Sequence, residues 1–116
     1  MSICKREKTG IASLNYIFCS DKYLLEINKS FLQHDYYTDI ITFNLAAKNT
    51  PVEGEIYISL DRVRENSKEL NEYSSRELHR VIFHGVLHLC GYGDKTPKEA
   101  QVMRQKEDFY LNAYFY

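Results

Sequence analysis

The stretch that most restricts this chain is Arg80-Val-Ile-Phe-His84-Gly-Val-Leu-His88-Leu-Cys-Gly91-Tyr-Gly93-Asp94. Leu78, Val81, Ile82, Phe83, Val86, Leu87 and Leu89 are distributed almost all round a helix, and such a helix has to be buried. One stripe stays polar. Arg80, His84 and His88 recur every four residues, so they stack along one side. His84 and His88 are then one turn apart and can aim both imidazoles at one point, the geometric basis of helical His-x-x-x-His zinc sites. The competing reading is a buried helix whose histidines are ordinary hydrogen-bonded core residues. The segment after the helix weighs against it. Gly91 stands where a left-handed residue stops a helix, Gly93 is a second freely rotating joint, and Asp94 can fold back as a carboxylate ligand.

Other donors fit less well. Cys90 is two residues beyond His88, which places it across the helix. His79 is off the stripe, and His34 sits in a loop that the pattern leaves unplaced. The expected set is therefore His84, His88 and Asp94 around one zinc ion. Three protein ligands leave one position open, a catalytic arrangement rather than a closed structural one. Arg80 has two readings of equal weight, a contact to a substrate phosphate or a buried ion pair with an acid such as Glu77.

The rest of the chain supplies a scaffold of strands and helices. Leu14, Tyr16 and Phe18 alternate as on a strand, as do Ile41, Phe43 and Leu45, and again Ile56, Ile58 and Leu60. Ser20 or Asp21 caps a helix whose stripe is Leu24, Ile27 and Phe31, and "DRVRENSKEL" reads as a short surface helix. The clearest loop is "KNTPVEG", residues 48–54. Ser74 with Glu77 predicts a capping box opening a helix over about 75–90, and Thr96 with Glu99 predicts another, with Pro97 in its first turn. Met103 falls in that last helix. Strands early and helices late predict an α+β fold: a small mixed sheet covered by helices, the zinc-site helix, a Gly-rich turn and a C-terminal helix.

The 116 residues, 44% apolar and 27% charged, are expected to form a single domain, 1–116, with a core of its own. No apolar run is long enough to span a membrane, and "MSICKREKTG" lacks the apolar segment of a secretory signal. Three cysteines without a Cys-x-x-Cys pair argue against a disulfide framework and place the chain in a reducing, cytoplasmic setting. With a net charge of −1, any grip on nucleic acid has to be local.

The spacing His84, His88, Gly91, Asp94 also falls on the metzincin protease pattern, with Asp in the last ligand slot. That chemistry needs a glutamate directly after the first histidine as general base. This chain has Gly85, and Met103 is badly placed for a Met-turn, so a metallopeptidase is disfavoured.

His84-Gly-Val-Leu-His88-Leu-Cys-Gly91-Tyr resembles the His-Gly-x-Leu-His-Leu-x-Gly-Tyr signature of the YbeY family. Asn28-Lys-Ser-Phe31, Thr38-Asp-Ile-Ile-Thr42-Phe43 and Gly54-Glu-Ile are similar to further segments of that family, so the resemblance runs from about Leu14 into the last helix. It implies a metal-dependent endoribonuclease for single-stranded RNA, acting in 16S ribosomal RNA 3′-end maturation and ribosome quality control, with ribosomal RNA and the small ribosomal subunit as partners. The alternative is a non-catalytic ribosome-assembly factor with a structural metal.

Three features depart from the family. Its usual Gly-Tyr-Asp-His ends in the third ligand, whereas here Asp94 takes that place and no histidine follows. The other alignment makes Asp94 the family's Asp moved by one, leaving two protein ligands. The family's Arg after Asn-x-x-Tyr is Leu32 here, and the chain starts too late to hold in full the strand and helix that commonly precede the Leu14 segment. A zinc ion at such a site lowers the pKa of bound water or polarises a phosphoryl oxygen. RNA carries its own 2′-hydroxyl nucleophile, so Gly85 in place of a base is less damaging for RNA cleavage than for peptide cleavage. The cations Lys5, Arg6, Lys8, Arg62, Arg64, Lys95 and Lys98 are scattered, which predicts a log–log salt slope of roughly −2 to −3 for a single strand.

Overall fold

A computed structural model describes residues 2–115. The order is α1 (Ser2–Arg6), β1 (Ile11–Cys19), α2 (Asp21–Leu32), β2 (Ile40–Asn44), β3 (Val52–Ser59), α3 (Leu60–Glu69), α4 (Ser74–Leu89) and α5 (Pro97–Phe115). The three strands form one mixed sheet in the order β1-β3-β2, with β1 parallel and β2 antiparallel to the central β3. This is the α+β arrangement expected, a small mixed sheet with helices over it.

Strand alternation divides the core. Ile56 and Ile58 face α4 and join Val81, Phe83, Val86 and Leu87 with Met103 and Leu111 of α5. On the other face, Ile41 lies against Leu24 and Ile27 of α2, bordered by Phe43 and Tyr57. Ile41 and Tyr57 are direct cross-strand partners, which is why they share that face. The apolar helix α4 thus fills the middle layer between the sheet and α5, as its composition demands.

Several local expectations differ from the structure. Phe31 is 71% exposed, packing its edge on Phe43 rather than entering the core with Leu24 and Ile27. Phe18 and Leu45 are also exposed, and Leu45 lies beyond the end of β2. The loop before β3 closes at Pro51, so Val52 to Gly54 belong to the strand, and Leu60 begins α3 instead of ending β3. The helix α1 had no signal in the pattern, yet Ile3 and Cys4 are buried in the main core. The Ser74 capping box does not form. α4 starts at Ser74, Tyr73 is the residue before it and makes no side-chain cap, and Ser74 Oγ is 3.3 Å from Ser67 Oγ of α3. Glu77 is drawn inward and buried, so it cannot reach back to the helix start. The Thr96 box does form: Thr96 Oγ1 accepts from the Glu99 amide at 3.1 Å, and Glu99 Oε1 accepts from the Thr96 amide at 3.1 Å.

Position 85 is where α4 touches the sheet. A Cβ there would lie 2.7 Å from Ile40 Cδ1, 3.1 Å from Thr42 Cγ2 and 3.2 Å from Ile56 Cγ2. Glycine lets the helix come this close, and a glutamate at that position has no room. The Ile40 methyl can swing aside, but Thr42 and Ile56 are β-branched and stiff at χ1. Gly85→Ala sets overpacking of about 1–3 kcal/mol against about 1 kcal/mol of improved helix propensity. The expected net loss is on the order of 1 kcal/mol, a fall of about 4 °C in Tm, with a larger fall for Gly85→Val. Thermal unfolding followed by circular dichroism measures both, and an unchanged Tm for Gly85→Val would show that the helix does not need this contact.

Glu7 joins the N-terminal segment to the far side of the molecule. Its carboxylate accepts hydrogen bonds from Tyr110 and from Tyr92, the latter at 2.6 Å, and Lys106 Nζ lies 3.3 Å away. The Tyr110 and Tyr92 hydroxyls hold the Glu7 carboxyl below its ordinary value near 4.5, against the opposing effect of burial and with help from Lys106. A carboxylate depressed in the folded state adds stability above its unfolded pKa and loses it as the pH falls through the folded one. Glu7→Gln should therefore cost on the order of 1–3 kcal/mol at neutral pH. Below about pH 4.5 the gap between wild type and variant should narrow, as read from urea unfolding at a series of pH values.

Candidate metal centre

The site begins with the register of α4. His84 and His88 stand one turn apart, their ring centroids separated by 4.5 Å at an interplanar angle of 83°. Each ring is turned by a hydrogen bond at its Nδ1. His84 Nδ1 lies 2.5 Å from Glu107 Oε2 on α5, and His88 Nδ1 lies 2.8 Å from the Tyr92 carbonyl. A carbonyl oxygen only accepts, and so does an ionised carboxylate, so both Nδ1 atoms carry the proton. Both Nε2 lone pairs therefore face the space between the rings. This is the outer-shell arrangement that orients histidine ligands in metal sites.

The turn after α4 delivers the third donor. Gly91 has φ +104°, a backbone region open to glycine at little cost, and it ends the helix as expected. Gly93, in contrast, does not have positive φ, and a Cβ there would meet only the movable end of the Glu99 side chain, at 2.6 Å from Oε2. Tyr92 holds the turn in place with its hydroxyl on Glu7 and its carbonyl on His88. Asp94 Oδ2 then sits 3.2 Å from His84 Nε2 and 3.4 Å from His88 Nε2. The three candidate ligand atoms all lie within 4.8 Å of one another.

These separations fit a tetrahedral ion. Ligands about 2.0–2.1 Å from zinc stand roughly 3.3–3.4 Å from each other. Two imidazole lone pairs and a carboxylate facing one another also repel unless positive charge lies between them. In the protein without metal, burial pulls His84 towards its neutral form, but the Glu107 hydrogen bond and the charges of Glu107, Asp94 and Asp39 outweigh it and raise the pKa. The site thus attracts a cation of some kind, a proton or a metal ion.

The structure separates the remaining sequence candidates. Arg80 is enclosed: its Nη1 lies 2.8 Å from Asp108 Oδ1 and 3.4 Å from Glu107 Oε1, and its Nε is 3.7 Å from Glu77 Oε1. Of its two readings the ion pair is the one seen, with α5 supplying partners that the pattern did not indicate. Arg80 thereby supports the carboxylate that orients His84. Cys90 is turned towards Cys4, away from the donors, and burial followed by that neighbour raises the Cys4 thiol pKa. His79 hydrogen-bonds the Ser75 carbonyl and packs on Tyr114, also off the site. His34 lines an open cleft of about 580 Å³ in front of His84, His88 and Asp94. A second cavity of about 490 Å³ also borders His84 and Asp94, with Asp39, Glu77 and Glu107 in its wall.

Two contributors were missed from the sequence. Glu107 stands among Met103, Tyr110 and Leu111, all buried, so a charged residue on an apolar stripe of α5 was its signal. Asp39 lines both cavities, and burial raises its pKa against the pull of His84. It lies in a loop, where no periodicity marks it.

Glu107→Gln keeps the shape at His84 Nδ1 but removes the charge that fixes its tautomer. Metal affinity is expected to fall roughly 10–100-fold, with the fold retained. Competition against a chelating dye measures the first and circular dichroism the second; unchanged affinity would show that Glu107 does not orient the ligand.

Comparison with known proteins agrees with this architecture. The sequence model of the family described as Endoribonuclease YbeY matches residues 2–115. A protein of Cytophaga hutchinsonii named Endoribonuclease YbeY is 55% identical over 111 residues, covering 96% of this chain and 78% of its own length. One of Phocaeicola vulgatus with the same name is 50% identical over 118 residues, covering 91% and 85%. The solution structure of TM1509 from Thermotoga maritima superposes with a TM-score of 0.66 at 34% identity, covering 95% of this chain and 72% of that one. A match over nearly the whole length, with the histidines of the shared signature converging on one point, places this chain in the endoribonuclease YbeY family.

Proposed function

We propose that this chain is a zinc-dependent endoribonuclease that cuts single-stranded RNA, with the 3′ end of 16S ribosomal RNA as substrate and the small ribosomal subunit as docking partner. The observation that carries the reading is the convergence of His84 Nε2, His88 Nε2 and Asp94 Oδ2, with both Nδ1 protons directed outward. Two imidazoles and one carboxylate form a donor set suited to zinc and poorly suited to magnesium or calcium, which take oxygen ligands. A zinc ion bound there supplies a Lewis acid for a phosphoryl oxygen.

The protein's own groups do the rest. His84 and His88 hold their lone pairs on one point because Glu107 and the Tyr92 carbonyl occupy their other nitrogens. Asp94 partly neutralises the site, leaving less attraction for phosphate than three histidines would. The open cleft gives a strand access from one side, and the 2′-hydroxyl of RNA provides the nucleophile that position 85 cannot assist. That last point also weighs against the peptidase reading, because Gly85 lies against the sheet.

Purified protein is expected to contain about one zinc per chain and to cleave unstructured RNA, with activity lost to a chelator and restored by zinc. Immature small subunits with a 3′ extension should be shortened by the metal-loaded protein. Asp94→Asn should lower zinc occupancy and cleavage together while leaving the circular dichroism spectrum unchanged. Full RNA cleavage in excess chelator would overturn the metal's role. A stability loss in chelator, with no RNA cleavage at any metal loading, would favour the assembly-factor alternative.

A further inference from the structure

The loop between α2 and β2 carries an aromatic pair in its first half. His34 and Tyr36 are stacked, with centroids 5.1 Å apart and planes 20° from parallel, and the Tyr36 hydroxyl lies 2.9 Å from His34 Nδ1. Both residues line the cleft that contains His84, His88 and Asp94. Tyr36 stays 56% exposed despite the His34 ring stacked on it.

The pair is held in place from below. Asn28, 1% exposed, donates its side-chain amide to the Tyr36 carbonyl at 2.9 Å, and its own backbone carbonyl accepts from the His34 amide at 3.1 Å. Gln33 closes α2 with a left-handed backbone, φ 56°, which turns the chain towards the cleft. A buried polar side chain thus fixes the backbone of an exposed aromatic. The next residue, Tyr37, is different: it carries Arg62 over its ring at 5.4 Å and already has a partner.

Apart from the metal ion, side chains supply little positive charge in this cleft. Among the residues that line it, Lys95 is the one lysine or arginine, and Asp39 and Asp94 oppose it. Three cations outside the cleft are engaged with acids: Arg62 with Asp21, Lys29 with Asp35 and Lys106 with Glu7. Away from the metal, a surface with few cationic side chains and a flat, fixed aromatic pair suits the π-face of a base better than a phosphate.

We propose that His34 and Tyr36 form a stacking platform for one unpaired nucleobase of the RNA strand held at the metal centre, a subsite that rests on the endoribonuclease reading. Stacking tolerates any base but requires an unpaired one, so the platform selects single strands. It also supplies affinity that survives salt.

The chain has no tryptophan, so Tyr36→Trp places a sole indole reporter at the platform. The probe is a 2′-O-methyl oligonucleotide of about eight nucleotides, blocked at the position RNA uses as its own nucleophile. It is compared with an abasic oligomer of equal length, both against zinc-loaded protein. Tyr73→Trp, at an 83% exposed residue before α4, is the control. The base-containing probe should quench the indole of the Tyr36→Trp variant and leave the control indole unchanged, and the abasic probe should quench neither. Tyr36→Ala should weaken probe binding roughly 5- to 150-fold by anisotropy, with Tyr36→Phe close to wild type and a salt slope between about −0.7 and −2. Binding without quenching, or equal binding of the abasic oligomer, would overturn the platform while leaving the endoribonuclease reading intact. Absence of both oligonucleotide binding and RNA cleavage would overturn the two together, and would leave the exposed pair to a protein partner.

Discussion

The contact between Gly85 and the sheet decides where everything else in this protein sits. With no side chain at position 85, α4 lies directly on Ile40, Thr42 and Ile56. That depth sets the height of His84 and His88 beside β2 and brings them to the floor of a cleft. It also turns Arg80 and His84 towards α5, where Glu107 and Asp108 meet them. Replace the glycine with anything larger and the helix has to rise, moving both imidazoles with it.

Around that helix the electrostatics form a closed chain. Arg80 pairs with Asp108, Glu107 and Glu77; Glu107 orients His84; His84 faces Asp94. Buried acids are costly, and burial raises the pKa of Glu77 despite the Arg80 charge beside it. Among the described residues, Glu77 Oε1 has no hydrogen-bond partner. The carboxylates of Glu107 and Asp94 beside His84 favour positive charge at the centre. The cleft that contains the three donors also carries the His34–Tyr36 pair, so a cation site and an aromatic surface share one opening.

Tyr92 shows how the pieces are kept in register. Its carbonyl fixes the tautomer of His88, and its hydroxyl is held by Glu7 from the start of the chain. Tyr110 and Lys106 of α5 meet the same carboxylate. The position of Asp94, two residues along, depends on this junction. The N-terminal segment, silent in the sequence pattern, is therefore part of what positions the third donor.

The amino-acid sequence alone determined the buried helix, the four-residue histidine stripe, the stop at Gly91 and the candidate carboxylate, because these follow from local periodicity and from glycine's backbone freedom. It also determined the strand alternation that splits the core, and the Thr96 cap. It did not determine which acid orients His84, which partners enclose Arg80, why Ser74 fails as a cap, or that His34 and Tyr36 reach the cleft. Glu107 is 23 residues from His84, and Glu7 is 85 from Tyr92. Such pairings arise only when the helices pack, since nothing in local spacing encodes which side chains meet across an interface. Phe31 illustrates the same limit: its spacing matched Leu24 and Ile27, but it meets β2 only through the edge of Phe43 and stays 71% exposed, and how deeply a stripe is buried depends on what lies opposite.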